Sequence, residues 1–116
     1  MHELSIAMSI VELAEEEVDR RGGGMKIEAV HLKLGALSGV ARDALMSSFE
    51  MVCEGTLLQG SRLVCEEIPV VVFCPQCQAQ RSLSSLQWFC CSECGTPTPE
   101  ILQGRELEVT ALEIQE

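Results

Sequence analysis

Two Cys-x-x-Cys pairs, Cys74/Cys77 and Cys91/Cys94, stand thirteen residues apart, and that spacing limits what the surrounding segment can become. A two-residue gap lets both thiolates of a pair turn toward one ion about 2.3 Å away, and two such knuckles complete a tetrahedral shell of four sulfurs. Zinc suits that shell, and a shell closed by protein ligands has no open position for a substrate, so the expected role is structural. An insert of this size cannot hold itself together by apolar burial, because below about 40 residues folding usually draws on disulfides, metal or oligomerisation. Bound zinc contributes on the order of 10 kcal/mol in small modules, enough to order a segment such as Phe73 to Pro97. A dithiol redox pair and plain core cysteines are the competing readings of the same residues.

Cys90 directly precedes Cys91. Cys91 is preferred as the ligand because it keeps the two-residue knuckle with Cys94, while Cys90 could substitute in a strained site. Cys53 and Cys65 read as small buried hydrophobes on a helix and a strand. Trp88 and Phe89, between the knuckles, read as the module's apolar core rather than as a stacking platform.

At 116 residues the chain has room for one core of ordinary size, so a second module must be small and metal-braced. The net charge is −10 and only 8 residues are Lys or Arg, which argues against nucleic acid, where affinity comes from basic residues neutralising phosphates. Seven cysteines, an odd number with four in metal spacing, suit a reducing compartment, and a cytoplasmic location is expected. The N-terminus shows no basic leader followed by a long apolar stretch. The densest apolar run, Ile68 to Phe73, is far short of a bilayer span, so neither secretion nor membrane insertion is expected.

From Leu4 to Val18 the positions Leu4, Ala7, Met8, Val11, Ala14 and Val18 follow a three-to-four spacing, widened by Ile6, Ile10 and Leu13, which predicts an amphipathic helix. Glu12, Glu15, Glu16, Glu17 and Asp19 form its solvated face, and Gly22-Gly23-Gly24 stops it. Because the glycines follow a helix instead of opening one, they are no nucleotide site. Ile27 to Leu34 alternates as a half-buried strand, with Val30, Leu32 and Leu34 on one side and His31 and Lys33 on the other. A second helix is expected from about Val40 to Cys53, with Ser38 available as its cap and Leu45, Phe49 and Val52 as its buried stripe. Strands follow over Arg62 to Ile68 and Glu106 to Ile114, the latter with a phase slip near Ala111.

The expected fold is α+β: two helices packed on a small β-sheet, with an inserted zinc-ribbon-like module of four cysteines. Residues 1–72 plus 101–116 would form the α/β body and residues 73–100 the insert.

Chemistry also singles out Met1-His2-Glu3. The Met1 amine, the His2 amide nitrogen and the His2 imidazole can close fused five- and six-membered chelate rings in one plane around a metal, and the Glu3 amide or carboxylate reaches a further position. Nitrogen-rich planar geometry is what Ni(II) and Cu(II) prefer, so the two sites would select different metals. A solvated, functionless His2 and a helix-start role for Glu3 are the plainer alternatives.

With these features in order, the chain resembles the HypA/HybF family of hydrogenase nickel-incorporation proteins. The resemblance rests on Met1-His2-Glu3 leading into an apolar helix, Leu34-Gly35 with Ser38 after it, Phe49-Glu50, Glu54-Gly55-Thr56, and the two cysteine pairs with their intact gap. It departs from many relatives after the third zinc cysteine, where Ser92 stands in place of proline and Cys90 is extra. The resemblance implies a nickel metallochaperone and not an enzyme. Met1, His2 and Glu3 would bind Ni(II) as transported cargo, and Cys74, Cys77, Cys91 and Cys94 would bind structural Zn(II). The implied partners are the nickel-insertion GTPase and the hydrogenase large subunit, with urease as a further recipient in some members; a homodimer stays open.

The main rival is a zinc-ribbon adaptor that binds a protein partner and carries no nickel. No nucleophile-base pair, phosphate-cradling loop or carboxylate dyad supports an enzyme.

Overall fold

The apolar stripe near the N-terminus forms α1, Glu3–Arg20, in a computed structural model that describes residues 2–83 and 88–115. Ala7, Ile10, Val11, Ala14 and Val18 are its buried residues, at the spacing that lines one helix face. The stripe is narrower than expected: Leu4, Met8 and Leu13 are each 48% exposed. Past the helix end, the Gly23 N–H donates to the Val18 carbonyl at 2.9 Å, and Gly22 takes φ +101°, a turn that a side chain would resist. Arg20 and Arg21 both pair with Glu17, at 2.7 and 3.2 Å.

The first strand, β1, spans Lys26–Gly35. Ile27, Val30 and Leu32 all join the core, and the odd separation of the first two means that the alternation slips between them. The second helix, α2, spans Arg42–Cys53 and buries Leu45, Phe49 and Cys53 at four-residue intervals. Ser38 does not cap it. The helix begins later than expected, at Arg42, with Ala41 as its N-cap and no cap hydrogen bond from that residue's own side chain.

Strands β2, Arg62–Ile68, and β3 to β5, Val71–Cys74, Ala79–Ser82 and Glu100–Gln103, precede the closing strand β6, Leu107–Gln115. One sheet has the order β2-β1-β6 and the other β4-β3-β5. On β6, Val109, Leu112 and Ile114 pack against the core, so the expected slip falls between Val109 and Leu112.

The chain divides into two compact units. The first comprises Met1–Lys33, Gly39–Glu66 and Glu108–Glu116; the second comprises Leu34–Ser38 and Glu67–Leu107. In the first, α1 packs on α2 and the helices share their core with Ile27, Val30, Leu32, Leu58 and Leu63.

In the second unit, β3 pairs antiparallel with β4, placing Val72 opposite Arg81 and Cys74 opposite Ala79, and pairs antiparallel with β5 across a register shift at Val71/Val72. Among its described residues, Val70, Val72, Cys74, Cys91 and Thr98 are enclosed. Gly35 fits against Gly104, where a Cβ would come within 2.2 Å of the Gly104 carbonyl oxygen. Only glycine allows the Leu37 N–H to reach that oxygen at 2.6 Å.

Candidate metal centres

The second unit brings all four paired cysteines together. The sulfurs of Cys74, Cys77, Cys91 and Cys94 lie within 4.8 Å of one another, with Cys74 to Cys94 at 3.6 Å and Cys77 to Cys91 at 3.9 Å. A tetrahedron with metal–sulfur bonds of about 2.3 Å has edges of about 3.8 Å, so the donor set fits zinc in number, softness and spacing. Cys90 is not among the four. It bridges to Pro97 as an isolated strand contact, while the Cys91 amide bonds to the Thr96 carbonyl at 2.8 Å.

The two knuckles use the same local chemistry. The Cys77 N–H donates to Cys74 Sγ at 3.3 Å and the Glu93 N–H to Cys91 Sγ at 3.4 Å, aiming backbone dipoles at the first sulfur of each pair. The residue after each second cysteine is left-handed: Gln78 at φ +53° and Gly95 at φ +76°. Gln78 is no glycine, and its side-chain amide bonds to the Pro75 carbonyl at 2.6 Å across the knuckle.

The electrostatics favour thiolates at the second pair. The Cys94 backbone amide, joined by the Glu93 amide and Arg81, pulls the Cys91 thiol down to about 6 against the effect of burial. The side chain and amide of Thr96 lower Cys94, whose sulfur lies 3.1 Å from Thr96 Oγ1. Cys77 is pushed up to about 11, chiefly by the neighbouring Cys94, as expected when neighbouring sulfurs compete for protons.

Two contributors were not foreseen from the sequence. The Arg81 guanidinium is held in its charged form chiefly by Cys91 and Cys77, and Thr96 supports Cys94. No motif marks either; only the β3–β4 register turns Arg81 toward the cysteines. Trp88 corrects an expectation in the other direction, being 72% exposed and no part of an apolar core.

At the other end of the chain, His2 is the exposed N-cap of α1, and its carbonyl accepts from the Ile6 N–H at 3.1 Å. The Glu3 carboxylate accepts from the Ala41 N–H at 3.0 Å. That bond holds its carboxyl below the ordinary range, with the N-terminal amine and His2 adding to the effect. Met1, expected as a ligand with them, lies outside the described residues. His31 stands apart, with Nε2 at 2.8 Å from Glu113 Oε2, which Arg62 also approaches at 3.6 Å.

Cys53 is buried in the first unit's core and Cys65 packs against it. Among the described residues, the four cysteines are the only metal-capable cluster of three or more His, Cys, Asp or Glu side chains. No helix among them is long and apolar enough to cross a membrane.

Comparison with known proteins agrees along the whole chain. The family model described as hydrogenase/urease nickel incorporation, metallochaperone, HypA matches residues 1–114. The hydrogenase maturation factor HypA of Chloroflexus aurantiacus is 50% identical over 113 residues, covering 97% of this chain and 98% of the relative. That of Roseiflexus sp. (strain RS-1) is 45% identical over 116 residues, covering 100% and 94%. The solution structure of the nickel metallochaperone HypA from Helicobacter pylori superposes with a TM-score of 0.66 at 28% identity, covering 98% of this chain and 97% of that one. A second HypA solution structure gives a TM-score of 0.71 at 28% identity, covering 99% and 97%. Matched by that family model along nearly its whole length and 50% identical to a named member, this chain belongs to the HypA family of hydrogenase and urease nickel-incorporation metallochaperones.

Proposed function

We propose that this chain binds Ni(II) at its N-terminus through the Met1 amine, the His2 imidazole and backbone nitrogens of His2 and Glu3, and delivers it for [NiFe]-hydrogenase maturation. The function is divided between residues 1–72 with 101–116, which handle nickel, and residues 73–100, which hold zinc. Cys74, Cys77, Cys91 and Cys94 would hold the zinc, which supplies cross-linking and no reaction.

The observation that carries the reading is the position of His2 at the start of α1. The first N–H groups of a helix have no carbonyl one turn earlier to bond, so metal can take the His2 and Glu3 amide nitrogens without breaking the intrahelical ladder. The Glu3 carboxylate is engaged by Ala41, which leaves its amide as the nitrogen donor. Planar nitrogen donors suit Ni(II), and the thiolate cluster suits zinc.

Such a chelate can release its ligands one at a time to a partner. Its ligands must lose protons to bind, so nickel affinity falls as pH drops. The partners are the nickel-insertion GTPase and the hydrogenase large subunit, with urease the second class of recipient named for the family. The chain itself performs no chemistry on a substrate, and the cytoplasm is the compartment that suits reduced thiolates.

The test is metal analysis and nickel titration of untagged protein and of His2→Ala. The reading expects His2→Ala to lose nickel binding while keeping one zinc per chain. Unchanged nickel binding by the variant would favour the zinc-ribbon adaptor instead.

A further inference from the structure

The cysteine cluster has a cationic neighbour for which zinc binding by four thiols, taken alone, gives no reason. Arg81 lies on β4 opposite Val72, two positions along from the Ala79–Cys74 pair. Because side chains alternate along a strand, Arg81, Val72 and Cys74 share one face of the β4-β3-β5 sheet. The guanidinium Nη1 donates to the Gln80 carbonyl at 3.1 Å, and Cys91 and Cys77, one sulfur from each knuckle, are the groups that most favour its charged form. Its Nε is buried and has no hydrogen-bond partner among the described residues.

Enclosing part of a cation in this way costs free energy unless a negative charge lies beside it. Four neutral thiols provide little. Four thiolates around one divalent ion carry a net charge of about −2, which a planar fork of N–H donors can meet at two sulfurs at once.

We propose that Arg81 is the positioning residue of the four-cysteine site, spanning the knuckles through Cys77 and Cys91 and neutralising the metal-thiolate shell so that the zinc is released slowly. This rests on zinc occupying the cluster. Arg81 is no ligand: it has no acceptor or lone pair to offer. It acts by holding two ligand sulfurs in place and making them poorer targets for competing protons and chelators. Outer hydrogen-bond partners of metal ligands typically change metal affinity by about 10- to 100-fold when removed, and the effect here falls on zinc retention.

The experiment uses the full chain purified with its native metal. Zinc content is counted first, and transfer of zinc to an excess of chromogenic chelator is then timed at constant pH and ionic strength for the wild type, Arg81→Gln and Arg81→Lys. Arg105→Gln is the control, removing an exposed cation of the same unit. Arg81→Gln is expected to lose zinc about 10-fold faster or more, Arg81→Lys to fall between it and the wild type, and Arg105→Gln to match the wild type.

Zinc-loaded Arg81→Gln releasing metal within about twofold of the wild type would overturn the proposal while leaving the zinc site intact. Wild-type protein with no zinc would overturn the underlying zinc reading and this proposal with it. Should Arg81→Gln not purify folded, Arg81→Lys decides alone, since it keeps a charge but loses the fork; release as slow as the wild type would again overturn the proposal.

Discussion

The Glu3 carboxylate accepts a hydrogen bond at 3.0 Å from the amide of Ala41, 38 residues away in sequence. The second helix thus begins without a cap of its own and borrows one from the first turn of α1, next to His2. An anion at a helix start also meets the positive end of the helix dipole. The bond ties the proposed nickel-binding segment to the packed helix pair.

In metal-free protein, Glu3→Ala is expected to speed hydrogen exchange at Ala41 and at the first amides of α2, and to lower the thermal midpoint. Exchange followed by NMR checks this. Unchanged protection at Ala41 would show that the carboxylate does not cap the helix.

Gly35 allows no side chain. A Cβ there meets the Gly104 carbonyl carbon and oxygen at 2.3 and 2.2 Å and the Glu106 nitrogen at 2.6 Å. These are backbone atoms that a rotamer change cannot move. Gly35→Ala is expected to cost about 3 kcal/mol, at the upper end for overpacking, measured as the shift in a urea unfolding curve at constant zinc. A shift near zero would mean that the Gly35–Gly104 approach is looser than described.

Cys53 supplies a pH dependence. Burial, with Glu15 adding, pushes its thiol from 9.0 up to about 11. The fold therefore favours the neutral thiol, while the unfolded chain ionises near its ordinary value. The resulting stability is fully present below pH 9.0 and is lost as pH rises through about 11. Cys53→Ala should flatten stability against pH across that window, at some cost in packing at neutral pH. Thermal unfolding of both proteins at a series of alkaline pH values makes the comparison.

Much of this was legible in the sequence, for reasons that differ by element. The buried stripe of α1 repeats over many turns, so Ala7, Val11, Ala14 and Val18 stand out. Leu4, Met8 and Leu13 were over-read, since apolar residues also occupy exposed helix faces. The cysteine ligands were legible because two-residue gaps express a local geometric demand.

The β4-β3-β5 sheet was not. Its strands are four residues long, and Ala79–Ser82 carries no apolar alternation to mark it. Pairing there depends on long-range register and on the knuckles. For the same reason Arg81 was invisible as a partner of Cys77 and Cys91, and Ser38 was credited with a cap that Glu3 provides from another helix. Contacts between distant segments leave no periodicity to read.

The division between a nitrogen site for nickel and a sulfur site for zinc is tested most directly by X-ray absorption at both metal edges, on zinc-loaded protein given one equivalent of Ni(II). The account predicts only nitrogen and oxygen neighbours around nickel, with the zinc still surrounded by four sulfurs. Sulfur in the nickel shell, or loss of sulfur from the zinc shell on loading, would contradict it.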